Sequence, residues 1–87
     1  MAVRKRAVAV WWEDAFSHDA WTSDTASIVK HRCLVVSVGV ELANDAGGIT
    51  LALSSNASGD HGGVWKIPRG MVRKVRVLGR LELPEEG

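Results

Sequence analysis

Leu34-Val35-Val36-Ser37-Val38-Gly39-Val40-Glu41-Leu42 decides how this chain is read. Leu34, Val36, Val38, Val40 and Leu42 fall on one side of an extended backbone, and Val35, Ser37, Gly39 and Glu41 on the other, which is the period of a β-strand. This strand is expected to be central. Gly39 brings no side chain, so the strand is expected to bend there. Downstream, Asn44-Asp45-Ala46-Gly47-Gly48 has turn composition, and Ile49, Leu51 and Leu53 resume the alternation with Thr50, Ala52 and Ser54 facing away. A hairpin follows. Upstream, Val8, Val10 and Trp12 alternate with Ala7, Ala9 and Trp11, a first strand that stops near Glu13-Asp14.

The stretch from Ala15 to Arg32 has neither period, although Ser23-Asp24 could cap a short helical turn over Ala26 to Lys30. Ser54 to Gly63 is polar and glycine-rich and reads as a mobile connector. Val64 to Ile67 forms a fourth strand, Pro68-Arg69-Gly70 interrupts it, and Met71 to Leu78 forms a fifth with Val75 and Val77 inward. The fold class is therefore all-β: five short strands in a small barrel with one short helical turn, closed because an open sheet of this size would leave two bare edges. A basic arm (1–6), a single barrel domain (7–80) and a flexible tail (81–87) complete the expected organisation.

Composition narrows the function classes. The 87 residues hold 46% hydrophobic and 24% charged side chains, which indicates a packed soluble domain rather than a disordered chain. One cysteine, Cys33, precludes an internal disulfide and a multi-cysteine zinc site, in keeping with a reducing cytoplasm. No apolar run approaches the ~20 residues of a membrane span, and no signal peptide is evident, so no membrane association is expected. Asn56-Ala57-Ser58 matches a glycosylation acceptor but reads as a polar loop.

Val64-Trp65-Lys66-Ile67-Pro68-Arg69-Gly70-Met71-Val72, followed by a valine-rich strand, resembles the ending of Src-homology-three-like and Sm-like small barrels, in which a one-turn break separates the last two strands. The wider pattern is Trp12-Glu13-Asp14-Ala15, Trp21, Ser37-Val38-Gly39, Ile49 to Ser54, and Ile67 to Val72. Over about residues 8 to 78 it is similar to a family of small uncharacterised proteins of tailed bacteriophages. That resemblance implies a setting, the cytoplasm of an infected bacterium, where small accessory proteins bind host factors, nucleic acids or defence signals. It implies no reaction and no catalytic residue.

The residues themselves carry little catalytic chemistry. Ser17, His18 and Asp19 are the residue types of a hydrolytic triad, but consecutive side chains do not converge in line. Cys33 beside His31 or His18 is expected to be a small buried residue rather than a nucleophile. His18, Asp19, Asp60 and His61 are donors without metal-site spacing. No catalytic residue, metal or cofactor is assigned.

Charge distribution says more than the net charge of +1: Lys66, Arg69, Arg73, Lys74, Arg76 and Arg80 follow one another with no acid between Asp60 and Glu82. Lys74 and Arg76 alternate with Val75 and Val77, so they point outward, either toward an anionic ligand or as protection of a terminal strand. Trp11, Trp21 and Trp65 could stack on a base or a protein surface, or simply fill a core without tyrosine; Trp12 belongs to the core. The expected ligand-binding set is Trp11, Trp21, Trp65, Lys66, Arg69, Arg73, Lys74 and Arg76. The expected function is non-enzymatic: a homo-oligomeric accessory protein that sequesters a nucleotide or another anionic small molecule. The alternatives are a nucleic-acid-binding protein of Sm or cold-shock style and an adaptor for a host protein.

Overall fold

The computed structural model describes residues 4–14 and 33–84. They form five strands, β1 (Arg4–Asp14), β2 (Cys33–Asp45), β3 (Gly48–Ser55), β4 (His61–Pro68) and β5 (Val72–Glu82), with one 3₁₀ turn at Arg69–Met71. All four pairings are antiparallel in one sheet of order β4-β3-β2-β1-β5. β2 is the middle strand, as its alternation predicts. The ladders of the described residues end at β4 and β5, which pair only with β3 and β1.

Residues opposite one another in an antiparallel ladder share a face. Val8, Val10 and Trp12 stand opposite Gly39, Ser37 and Val35 of β2 and opposite Val77, Val75 and Val72 of β5. This is the core side. Val8, Val10, Ile49, Leu51 and Ile67 are fully buried there, with Trp12, Trp65, Met71, Val72 and Val75 packed around them. The opposite side carries Trp11, opposite Val36 and Lys74, and Ala9, opposite Val38 and Arg76.

Two features of β2 set this choice of face. A Cβ on Gly39 would lie 2.9 Å from the Ala52 carbonyl oxygen and 3.2 Å from the Leu51 Cβ, so only glycine lets β3 come this close. The Ser37 hydroxyl accepts a 3.0 Å hydrogen bond from the Trp12 indole, which gives a half-buried N–H its partner. Consequently Leu34, Val36 and Val38 face outward and are 63%, 53% and 54% exposed. The alternation is as the sequence predicts, but its larger aliphatic side is largely the outer side. Only Val40, near the hairpin, is buried.

Several boundaries shift. The connector expected over Ser54 to Gly63 shrinks to Asn56–Asp60, because Ser55 and His61 already pair in the β3–β4 ladder. The Asn56 side-chain oxygen accepts from the amides of Ser58 and Asp60 at 3.1 and 3.0 Å, an Asx-type tie that a composition reading misses. Arg4 to Arg6 and Leu81 to Glu82 belong to paired strands rather than to an arm and a tail. The helical turn expected over Ala26 to Lys30 lies outside the described residues.

The hairpin joining β2 and β3 depends on Gly48. Its φ of +146° is a backbone state that side-chain-bearing residues avoid, and a Cβ there would overlap the Ile67 carbonyl. Gly48→Ala is expected to lower stability by about 1–3 kcal/mol in urea denaturation. Val36→Thr and Val38→Thr should each stay within about 0.5 kcal/mol of the parent, whereas Val10→Ala should cost several times more.

Candidate binding face

The cations of the acid-free segment, taken with those of β1, fall into three groups. Arg69, on the 3₁₀ turn, reaches back to the β2–β3 turn: its guanidinium donates to the Asp45 carbonyl at 3.2 and 2.6 Å, to the Asn44 side-chain oxygen, and to the Gly48 carbonyl at 3.4 Å. Lys66 belongs to the same end of the molecule, since a Cβ on Gly47 would lie 2.8 Å from its Nζ. Arg69 thus ties the turn, and Lys66 lies beside it. Arg73 donates to the Gly70 carbonyl at 2.7 Å and to the Glu13 carboxylate at 2.9 Å, joining the 3₁₀ turn and β5 to the end of β1.

Lys74 and Arg76 make up the second group. They lie on the outer face of β5, exposed, opposite Trp11 and Ala9 of β1. The Lys74 ammonium sits 4.9 Å from the Trp11 ring centroid, within the range of a cation–π attraction. On the other side of β1, Val36 and Val38 continue the face onto β2. The result is two neighbouring cross-strand rows, Val36–Trp11–Lys74 and Val38–Ala9–Arg76, each running from an aliphatic side chain to a cation. Such a surface suits a ligand with a flat or apolar part beside a negative charge.

The third group lies at the far ends of β1 and β5. Arg6 forms two hydrogen bonds to the Glu41 carboxylate, at 3.1 and 2.7 Å. The Arg6 pKa is raised, first by that hydrogen bond and then by the Glu41 charge, so this guanidinium stays charged at every relevant pH. Arg4 reaches Glu82 at 3.3 Å in an exposed pair. Surface pairs of this kind add little stability. Arg80 stands opposite Arg6.

Of the eight residues expected to bind a ligand, Trp11, Lys74 and Arg76 come together on one face. Trp65, opposite Leu51, packs half-buried against the core, which is the alternative the sequence left open for it. Trp21 lies outside the described residues, as do Ser17, His18, Asp19 and His31. Val36 and Val38 were missed as site residues because alternation alone does not say which face is the core. The signal that could have found them is the small or polar set Ser37 and Gly39 on the opposite side, where two buried strands must approach.

A second feature is the β3–β4 connection. The Ser55 hydroxyl and His61 Nδ1 are 2.7 Å apart, and an open cavity of about 340 Å³ is lined by Ser54, Ser55, Asn56, Asp60, His61 and Gly62. No cluster of three or more His, Cys, Asp or Glu positioned for a metal occurs among the described residues. No family model, curated protein or solved structure matches the chain. No helix among the described residues is long and apolar enough to cross a membrane.

The division of the cations sets different expectations for their removal. Arg69→Ala, which deletes the ties to the β2–β3 turn, is expected to cost about 1 kcal/mol in chemical denaturation. Arg76→Ala should leave stability within about 0.5 kcal/mol.

Proposed function

We propose that this protein is a non-enzymatic binding module that captures a nucleotide, or a similar anionic ligand with an aromatic part, on the outer face of β2, β1 and β5. The observation that carries this reading is the placement of Lys74 against the Trp11 ring with Arg76 one row away on the same face. The ring offers a stacking surface and the two exposed cations offer phosphate contacts. Val36 and Val38 extend the apolar part of the platform. Arg69 and Arg73 hold the fold, so the ligand contacts are assigned to Trp11, Lys74 and Arg76.

The accompanying fold reading is a Src-homology-three-like or Sm-like barrel. Its support is the strand order together with a single 3₁₀ turn between β4 and β5. The setting is that of a phage accessory protein in the cytoplasm of its host, supported by the residue pattern alone. Self-association belongs to the same proposal: Leu34, Val36 and Val38 leave an aliphatic stripe in water that a second copy could cover.

A second reading has a specific observation in its favour. Small-molecule sites are concave and enclose most of their ligand, whereas this face is a sheet surface of the kind on which single-stranded nucleic acid lies. Salt separates the two readings, because a polymer bound by several phosphate contacts loses affinity much more steeply with salt than a single nucleotide does.

Calorimetry against a broad nucleotide panel is expected to find a binder whose affinity falls about tenfold or more in Trp11→Ala, Lys74→Ala or Arg76→Ala. No heat across the panel would end the nucleotide reading, and a salt-sensitive gel shift with single-stranded oligonucleotides would put the polymer in its place. Native mass spectrometry should show more than one copy per assembly; a monomer at every concentration would remove self-association.

A further inference from the structure

The edge of β5 offers a second surface, which shares Lys74 and Arg76 with the face of Trp11 but presents backbone rather than a ring. β5 pairs with β1 through one side only, and no described strand occupies its other side. The ladder with β1 is irregular between Ala7 and Val8 and again between Trp11 and Trp12, but between these points Lys74, Val75, Arg76 and Val77 are paired without interruption. Over this stretch half of the backbone amides and carbonyls point away from β1, an extended template of donors and acceptors. Its side chains alternate cleanly: Lys74 and Arg76 on the outer face, Val75 and Val77 on the core side.

We propose that this edge receives an extended polypeptide in which acidic and apolar residues alternate, added to the sheet as a sixth strand. A strand laid beside β5 shares faces with the residues it pairs with. Its acidic positions meet Lys74 and Arg76, and its apolar positions lie beside Val75 and Val77, of which Val77 is 47% exposed and gains cover. The carboxylates are supplied by the partner because the stretch from Lys74 to Val77 has none of its own and Glu82, at the far end of β5, is engaged by Arg4.

Charge and backbone conformation argue against a second copy as the occupant. Two β5 edges paired with each other would bring arginine and lysine side chains together. The other edge of the described sheet, β4, supplies no carboxylate, is broken by Gly63 at φ +63°, and ends at Pro68, which has no N–H to donate. Cations on an edge strand also guard against aggregation, and the same feature that repels copies selects an acidic partner.

The test is a titration of the full-length protein with a short capped peptide alternating Glu and Val, followed by tryptophan fluorescence and by hydrogen exchange of the β5 amides. Binding is expected to slow exchange at alternate β5 amides, and to be lost with a Lys-Val peptide or in the Lys74→Glu, Arg76→Glu double variant. Two N-methylated peptides distinguish strand addition from plain charge attraction. Methylation of the residues facing β5 should weaken binding about tenfold or more, and methylation of the alternate set should not. Equal binding of both methylated peptides, no slowing of exchange on β5, or no binding at low salt would each overturn the proposal. A concentration-dependent dimer that protects the same amides without peptide would assign the edge to a second copy and overturn it too. The two readings share Lys74 and Arg76, so the nucleotide reading is tested apart from this one by Trp11→Ala, which leaves the β5 backbone and both cations in place.

Discussion

The close approach of β3 to β2 at Gly39 is the constraint on which the rest of the sheet depends. The Ala52 carbonyl and the Leu51 Cβ occupy the space that any side chain at position 39 would need. Leu51 is thereby placed in the core with Ile49, Ile67, Val8 and Val10. With Gly39 turned inward, the period of a strand turns Ser37 inward as well, where its hydroxyl receives the Trp12 indole N–H. A serine facing a core ordinarily costs free energy, and here a defined partner offsets that cost. The same geometry leaves Leu34, Val36 and Val38 in water. An exposed aliphatic stripe is thus the complement of a close strand contact on the other side of the same strand.

This explains how much was legible in the sequence. The number of strands, the hairpin at Asn44 to Gly48, the break at Pro68 to Gly70 and the central position of β2 all follow from period-two alternation and turn chemistry, which are local properties. The sidedness of β2 is not local. Both of its faces carry valines, so hydrophobicity favours Leu34, Val36 and Val38 as core, and only the tertiary contact of Gly39 with β3 reverses the choice. The length of β4 was underestimated for a related reason. His61, Gly62 and Gly63 have weak strand propensity, but pairing with Ser54 and Ser55 holds the first two in the ladder regardless.

The site was legible as composition and illegible as geometry. Six cations in succession mark β4, the 3₁₀ turn and β5 as basic, yet sequence spacing does not separate a guanidinium that satisfies turn carbonyls from one left to solvent. Arg69 and Arg73 sit where a strand gives way to a turn, and backbone carbonyls at the ladder ends lie within their reach, as the contacts to Asp45 and Gly70 show. Lys74 and Arg76 lie within an uninterrupted ladder whose carbonyls are already engaged or point along the edge. Proximity to a break in pairing is therefore a better sign of a structural arginine than charge density is.

The small core gives these exposed surfaces an energetic consequence. Among the described residues five large side chains are fully buried, while three aliphatic side chains on β2 alone remain more than half exposed. Burying a valine or leucine contributes about 1.5–3 kcal/mol when it is complete, and a domain of this size has little stability to spare. Any ligand, strand or copy that covers Val36, Val38 or Val77 binds the folded chain and not the unfolded one, so it adds its own binding free energy to the stability of the fold. Occupancy and stability are coupled on both surfaces, although the surfaces differ in chemistry: the face of Trp11 presents a ring and two cations, and the edge of β5 presents backbone that no described strand pairs. A partner at the face depends on the side chains alone. One at the edge also needs the backbone of β5 to stay extended, which the pairing with β1 ensures.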